Sequence, residues 1–140
     1  MKRLFFVLVA MVGFAFSAQA QCGDDLMKTA LKAMGDKQYI KDFEINLASG
    51  SADGKTFQVV LNSNTMYQFN VANGPKNAEN LTFDVTETGG NVIGTNSMGG
   101  KVYPNFQFKC TKTAAYKLRV YSTSASESCA RAVLSLVEQF

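Results

Sequence analysis

Few side chains in this 140-residue sequence are suited to nucleophilic or acid–base chemistry, because it contains three cysteines and no histidine. The missing histidine excludes the Ser-His and Cys-His arrangements of nucleophilic catalysis, and with them the common zinc sites. Asp84 and Glu87 lie close in sequence, but Asp84 alternates with Phe83 and Val85 and therefore points outward. A carboxylate in that position is typical of a solvated strand face. We predict no catalytic residue and no enzymatic activity.

The same stretch offers oxygen atoms to a hard cation, on Asp84, Glu87 and Asn91. A calcium ion takes about six to eight oxygen ligands, usually from a loop with a dedicated spacing. No such spacing occurs in the sequence. We therefore predict no metal site and no cofactor.

Residues 1–20 have the three parts of an export signal. Lys2 and Arg3 are followed by an apolar run over residues 4–16, and small residues precede the predicted cleavage site after Ala20. The alternative is a membrane anchor. The apolar run is shorter than the roughly 20 residues that span a bilayer, which favours cleavage.

The mature chain, residues 21–140, has the length of a single domain. The sequence holds fourteen basic and eleven acidic residues. Two of the basic residues and none of the acidic ones belong to the predicted signal, which leaves a mature net charge of +1. This charge gives no argument for a nucleic-acid partner or for membrane insertion after cleavage. Gln21 precedes Cys22 where a lipoprotein signal has a small residue, so we expect an unlipidated periplasmic or secreted protein.

The hydrophobic period changes once in the mature chain. Residues 24–35 carry a Met-containing apolar stripe at helical spacing, which predicts a helix that packs on a sheet. From about residue 38 the period is two, in short segments separated by Gly, Asn and Ser. Gly89-Gly90 predicts a hairpin turn, residues 62–64 suggest another, and residues 94–104 form the longest predicted loop.

The strand pattern predicts a mostly β protein. About eight short strands, preceded by one N-terminal helix, are typical of an antiparallel β-sandwich of the jelly-roll type. A closed barrel is the alternative, and the sequence separates the two poorly.

The three cysteines, Cys22, Cys110 and Cys129, all lie in the mature chain, where export allows disulfides to persist. If the strands alternate in direction, Cys110 and Cys129 lie at opposite ends of a strand about 17–20 Å long, beyond the ~7 Å that a disulfide permits between Cα atoms. Cys22, at the N-terminal end of the helix, would reach Cys129. We predict a Cys22–Cys129 bridge and a buried free thiol at Cys110. A bridge from Cys110 to either of the others is the alternative.

Two surfaces are candidate binding sites. One is an outward strand face on which basic and aromatic residues are expected to lie together, as a platform for an acidic glycan or a protein. Its residues are Lys109, Lys117, Arg119 and Tyr121, together with Gln107, Lys112 and Arg131. The other is the loop of residues 94–104, with Met98, Lys101 and Tyr103, because loops on a rigid sandwich often hold binding residues. Solvated charges and local packing are the simpler interpretations of both.

Four segments together resemble the pre-peptidase C-terminal domain, a small bacterial β-sandwich. They are residues 66–71, residues 80–85 with the Gly-Gly-Asn-Val-Ile turn that follows, residues 106–108, and residues 115–121. The chain is also similar to small exported proteins of Gram-negative bacteria that have a Cys-led N-terminal helix. The resemblance implies a non-catalytic accessory or binding module. Asn80 and Thr82 stand where that family often has acidic residues suited to calcium, so a metal site is not implied.

These observations lead to one functional hypothesis and one alternative. We expect an exported, non-catalytic β-sandwich with a protein-interaction or accessory role in the cell envelope or outside the cell. The alternative is a carbohydrate-binding module that uses exposed tyrosines, Tyr103 and Tyr121. The partner is thus an unknown protein or a glycan.

Overall fold

The computed structural model describes residues 24–47, 54–73, 81–122 and 128–140. The predicted signal, its cleavage site, Cys22 and Asn80 lie outside the described residues. Those residues form one helix and ten strands: α1 (Asp24–Met34), β1 (Gln38–Leu47), β2 (Lys55–Leu61), β3 (Thr65–Asn73), β4 (Leu81–Thr86), β5 (Val92–Thr95), β6 (Ser97–Met98), β7 (Lys101–Val102), β8 (Asn105–Cys110), β9 (Ala114–Ser122) and β10 (Ser128–Gln139).

Eight of these strands form two four-stranded sheets. The first sheet has the order β1-β10-β3-β8 and the second has the order β2-β9-β4-β5, and the remaining two strands pair with each other as the β6–β7 hairpin. Every pair of neighbours is antiparallel. The predicted fold class, an antiparallel β-sandwich with one N-terminal helix, is confirmed.

Period-two alternation decides which side chains lie between the two sheets. In β1 the buried residues are Phe43, Ile45 and Leu47, and exposed Glu44 and Asn46 separate them. Strand β9 repeats the pattern, with buried residues alternating with exposed Lys117 and Arg119. Burial of one face per strand removes enough apolar surface from water to drive the packing of the sheets.

Aromatic rings fill the core on the β3 and β8 side. The ring centre of Phe69 lies 5.4 Å from that of Phe106 and 5.9 Å from that of Phe108. Strand β5 of the second sheet crosses over these rings at Gly94, where an added Cβ atom would lie 2.9 Å from Cβ of Phe108. Only a glycine allows the two sheets to approach so closely at this edge.

Helix α1 covers the outer face of the first sheet. Its buried Ala30 packs with Ala72 of β3 and Val133 of β10, flanked by the predicted apolar stripe of the helix: Leu26, Met27, Leu31 and Met34. The prediction that this stripe packs on a sheet is confirmed. Strands β3 and β10 are therefore buried on both faces, whereas no helix covers the second sheet among the described residues.

Polar side chains on the outer face of β3 satisfy one another. The Gln107 side-chain amide donates to Gln68 Oε1 at 2.8 Å, and the Gln68 amide donates to Asn70 Oδ1 at 2.6 Å. Gln68 and Asn70 are buried, so these bonds remove the cost of leaving their polar atoms unpaired.

The turn at residues 62–64 does not form the hairpin that the sequence suggested. Strands β2 and β3 belong to different sheets, so this turn carries the chain across the sandwich. Asn64 adopts a left-handed conformation with φ of 55°, and its carbonyl accepts a hydrogen bond from Phe140 N at 2.8 Å. The Gly89-Gly90 hairpin was predicted correctly, because β4 and β5 are bonded neighbours.

A second crossing, between β8 and β9, is fixed by Tyr116. Its buried hydroxyl donates a hydrogen bond of 2.6 Å to the carbonyl of Lys112 in the intervening corner. The thiol of Cys110 donates to the same carbonyl at 3.2 Å. Burial, followed by the hydrogen bond with Cys110, raises the pKa of Tyr116 to about 12.

We therefore predict that the protein loses stability at alkaline pH. The raised pKa means that folded Tyr116 keeps its proton where the unfolded chain has lost it. Below about pH 10 Tyr116 contributes no pH dependence, and between about pH 10 and 12 the free energy of unfolding should fall as pH rises. Urea unfolding over this range measures the slope.

The variant Tyr116→Phe tests the assignment. It should be less stable at neutral pH, because the bond to Lys112 is lost, and it should show a shallower alkaline slope than the unmodified chain. An unchanged slope would assign the alkaline loss to other groups.

Candidate functional site

The loop predicted at residues 94–104 contains the β6–β7 hairpin. Ser97 pairs with Val102 and Met98 pairs with Lys101. The turn between them is Gly99-Gly100, with φ of 59° and 80°. Positive φ at both central residues is the requirement of the type I′ hairpin turn, which glycine meets without strain.

Asn96 anchors the base of this hairpin to the edge of β4. Its side-chain oxygen accepts a hydrogen bond from Phe83 N at 2.8 Å, and its amide donates to the carbonyls of Leu81 at 3.0 Å and Tyr103 at 3.1 Å. Asn96 N also donates to the Phe83 carbonyl at 3.2 Å. The residue is only 1% exposed, so it acts as a polar link within the protein interior.

A further backbone bond connects the hairpin to the first sheet. Val71 N in β3 donates to the carbonyl of Pro104 at 2.8 Å. Because Asn96 binds β4 of the second sheet, the base of the hairpin is held by both layers. Its position is set by the sandwich and not by the hairpin's own short strands.

The three loop residues predicted for binding lie together on this hairpin. Met98 is 65% exposed and Tyr103 is 44% exposed, and Lys101 is also exposed. Met98 and Lys101 are cross-strand partners, so their side chains lie on the same side of the hairpin, and exposed Tyr103 follows directly after β7. The result is an exposed apolar and basic tip on an anchored base.

The other predicted surface is divided between opposite faces of the sandwich, so the expectation of one shared face is wrong. Lys117, Arg119 and Tyr121 lie on β9 of the second sheet, whereas Lys109 lies on β8 of the first. Arg131, on β10, also belongs to the first sheet. Alternation showed that each residue points outward, but it carried no information on which sheet each strand joins.

On the first sheet these basic residues have local partners. Arg131 forms ion pairs of 3.5 Å with Asp42 and 3.4 Å with Glu44. The ammonium of Lys109 lies 4.4 Å from the ring centre of Phe140. They do not form a common binding platform.

On the second sheet Tyr121 is already engaged. The Arg119 guanidinium lies 4.5 Å from the ring centre of Tyr121. The Tyr121 hydroxyl interacts with Asp84, which is the cross-strand neighbour of Arg119. Burial, the Asp84 charge and the hydrogen bond to Asp84 raise the pKa of Tyr121, and Arg119 partly opposes them. Asp84 is thereby occupied in a surface cluster.

The other carboxylate considered for metal binding is engaged as well. Glu87 Oε1 accepts a 2.6 Å hydrogen bond from the Asn91 side chain at the β4–β5 turn. Within the described ranges, His, Cys, Asp and Glu form no group of three that could hold a metal ion. The same ranges contain no helix long and apolar enough to cross a membrane.

The positions of two cysteines can be compared in the first sheet. Cys110 is a buried free thiol, and it pairs with Thr65, which pairs with Gln139. Cys129 lies ten residues before Gln139 in β10, about 33 Å along the strand at the usual rise. A Cys110–Cys129 bridge is therefore excluded.

The Cys22–Cys129 bridge stays a prediction because Cys22 is not described. The packing of Ala30 on Ala72 and Val133 supports it. Ala72 pairs with Arg131, near Cys129, and the C-terminal end of α1 leads into β1 where Gln38 pairs with Leu136. The helix N-terminus is thus directed toward the end of β10 that holds Cys129, and Cys22 precedes the helix by two residues.

The bridge predicts one reactive thiol per chain, and only after unfolding. Cys129→Ser should lower the free energy of unfolding by about 2–5 kcal/mol, whereas Cys110→Ala should keep the bridge. Thiol titration and mass spectrometry of unreduced peptides provide the measurement. A peptide that links Cys110 to Cys22, or more than one reactive thiol after unfolding, would contradict the prediction.

Because Asn96 anchors the hairpin, we predict that its substitution strongly destabilises the protein. Asn96→Ala leaves the Phe83 N–H and the Leu81 carbonyl without their side-chain partner, which should cost roughly 2–4 kcal/mol. Asn91→Ala is the matched control, because it removes an exposed amide, and it should cost about 1 kcal/mol or less. Urea unfolding measures both. Equal losses would show that Asn96 has no special role.

Comparison with known proteins gives a fold but no family. No family model and no curated protein matches this chain. Among solved structures it is similar to PliG of Aeromonas hydrophila, a periplasmic lysozyme inhibitor of g-type lysozyme, with a TM-score of 0.55 and 15% identity over 71% of this chain and 88% of that one.

It is also similar to the pre-peptidase C-terminal domain of collagenase from Bacillus anthracis. The TM-score is 0.52, with 15% identity over 70% of this chain and 90% of that domain. Identities this low establish the fold alone. The resemblance to the pre-peptidase C-terminal domain that the sequence indicated is confirmed at the level of fold.

Proposed function

We propose that this chain is an exported, non-catalytic module that binds a protein partner through the tip of the β6–β7 hairpin. One observation carries the proposal: Met98 and Tyr103 are exposed, yet the backbone beneath them is held by the buried side chain of Asn96. An apolar tip on an anchored base is suited to a partner's pocket.

The energetics of binding favour this element. Burial of a methionine side chain contributes about 1.5–3 kcal/mol, and methionine and tyrosine are enriched at protein interfaces. The anchored base means that little backbone freedom is lost when the hairpin binds, which leaves more of that gain as affinity. Lys101 beside Met98 favours an acidic rim on the partner's pocket.

The absence of histidine and the predicted export signal support a non-catalytic, exported protein. The sequence has no histidine, and Asp84 and Glu87 are both engaged in local contacts. A periplasmic or extracellular location follows from the predicted signal, and the similar fold of a periplasmic inhibitor supports it. Because that protein inhibits g-type lysozyme, purified g-type lysozyme is the first defined partner to test.

The carbohydrate alternative needs tyrosine rings open to a sugar. Tyr103 has such exposure, but one face of Tyr121 is covered by Arg119. Retention on an immobilised polysaccharide that is lost in Tyr103→Ala, without any protein partner, would replace the present proposal with the alternative.

Substitutions at the tip test the proposal. The exported chain is cross-linked in its native cell envelope, and each captured protein is purified for calorimetric titration, with g-type lysozyme titrated in parallel. Met98→Asp places a charge where an apolar contact is expected and should weaken binding at least about tenfold, the equivalent of roughly 1.4 kcal/mol. Tyr103→Ala should weaken it in the same direction.

The control variant is Phe140→Asp. Phe140 is 58% exposed and lies beside the 62–64 turn, away from the hairpin. It should bind like the unmodified chain. Binding that Met98→Asp leaves unchanged would remove the hairpin from the interface, and the absence of any specific protein partner would overturn the proposed function.

A further inference from the structure

Strand β2 is one of the two outer strands of the second sheet, and its edge is unusually regular. All seven of its residues pair with β9 in unbroken register, from Lys55 opposite Val120 to Leu61 opposite Ala114. It contains no proline, glycine or bulge. Regular edges of this kind are templates for the addition of another strand.

The other outer strands differ from β2. Strand β1 has a register shift between Tyr39 and Lys41, and β5 is four residues long and opposes a shift in β4. Strand β8 lies against β5 where Gly94 approaches Phe108. Bulges, short length and covering elements are the usual protections of an edge, and within the described ranges β2 has none of them.

The outward side chains of β2 also lack the charges that block strand pairing. Thr56, Gln58 and Val60 are exposed, and Val60, at 70%, is the most exposed of the large hydrophobic residues described. The charge on this strand belongs to Lys55 at its first position, and its ammonium lies 5.3 Å from the ring centre of Phe57.

We propose that β2 pairs antiparallel with β2 of a second copy of this chain, about a two-fold axis at Gln58. The sequence Thr-Phe-Gln-Val-Val has the same pattern in both directions: a β-branched residue at each end, an apolar residue next to each end, and Gln58 at the centre. In this register Thr56 lies opposite Val60 of the other copy, Phe57 lies opposite its Val59, and the two Gln58 side chains meet. The self-complementary pattern is what a two-fold interface requires.

Each of these cross-strand pairs is expected to stabilise the interface. Thr56 and Val60 are β-branched residues that pack well across strands, and the Gln58 amides can bond to each other. Half-buried Phe57, at the edge of the core, gains cover from the opposing Val59. No like charges face each other within the paired segment. The two second sheets become one eight-stranded sheet, and the hairpins remain free for a partner.

The oligomeric state of the exported chain tests this inference. Sedimentation equilibrium over a wide concentration range should show a reversible dimer. Val60→Lys, an edge charge, should raise the dimer dissociation constant at least about tenfold, and Gln58→Lys, which sets two lysines opposite each other, should raise it further. The matched control is Val92→Lys, at a 54% exposed valine on the far edge of the same sheet, and it should leave the constant unchanged.

A cysteine substitution tests the register. Gln58→Cys should form a disulfide-linked dimer under mild oxidation, whereas Val92→Cys should not. Circular dichroism and unfolding curves confirm that each variant is folded. A chain that stays monomeric at the highest concentration, or a dimer that neither Val60→Lys nor Gln58→Lys weakens, would overturn the inference, whether or not the hairpin binds a protein.

Discussion

The close approach of the two sheets at Gly94 is the constraint on which much of this structure depends. Here β5 passes over the Phe106 and Phe108 rings with no room for a side chain. The contact joins the aromatic side of the first sheet to the edge of the second. It also fixes the start of the β6–β7 hairpin, which follows β5 after a single residue.

That single residue, Asn96, is buried in the core, and its hydrogen bonds fix the position of the exposed hairpin. An asparagine side chain offers both a donor and an acceptor, and here it uses them on the backbone of β4 and of Tyr103. The interior has few competing partners for such a group, so the arrangement is strongly specified. The exposed hairpin thus has a defined orientation although its own strands are only two residues long.

The two outer faces of the sandwich have different roles. The first is occupied by α1, and its buried polar residues satisfy one another beneath or beside the helix. The second bears an ordered polar surface, in which Arg119, Tyr121 and Asp84 hold one another. Interactions with other molecules are therefore expected at the hairpin and at the β2 edge, where apolar side chains are exposed and local partners are few.

The sequence by itself determined most of the secondary structure and the limits on chemistry. Alternation in β1, β3, β4, β8 and β9 showed which side chains face the core, helical spacing located α1, and the absence of histidine restricted catalysis. It also located Met98, Lys101 and Tyr103 as one candidate surface. The helix and strand predictions succeed because each rests on neighbours along the chain.

Only the tertiary structure decided which strands are partners. Residues 62–64 and 89–90 read alike as turns, yet the first crosses between sheets and the second joins bonded neighbours. For the same reason, the sequence did not show that Lys109 and Arg131 lie on one sheet and Lys117 and Arg119 on the other. Asn96 carried no local signal, because its role depends on β4 and Tyr103. Alternation fixes the side of a strand that is buried, but the choice of partner strand depends on long-range packing that no local pattern records.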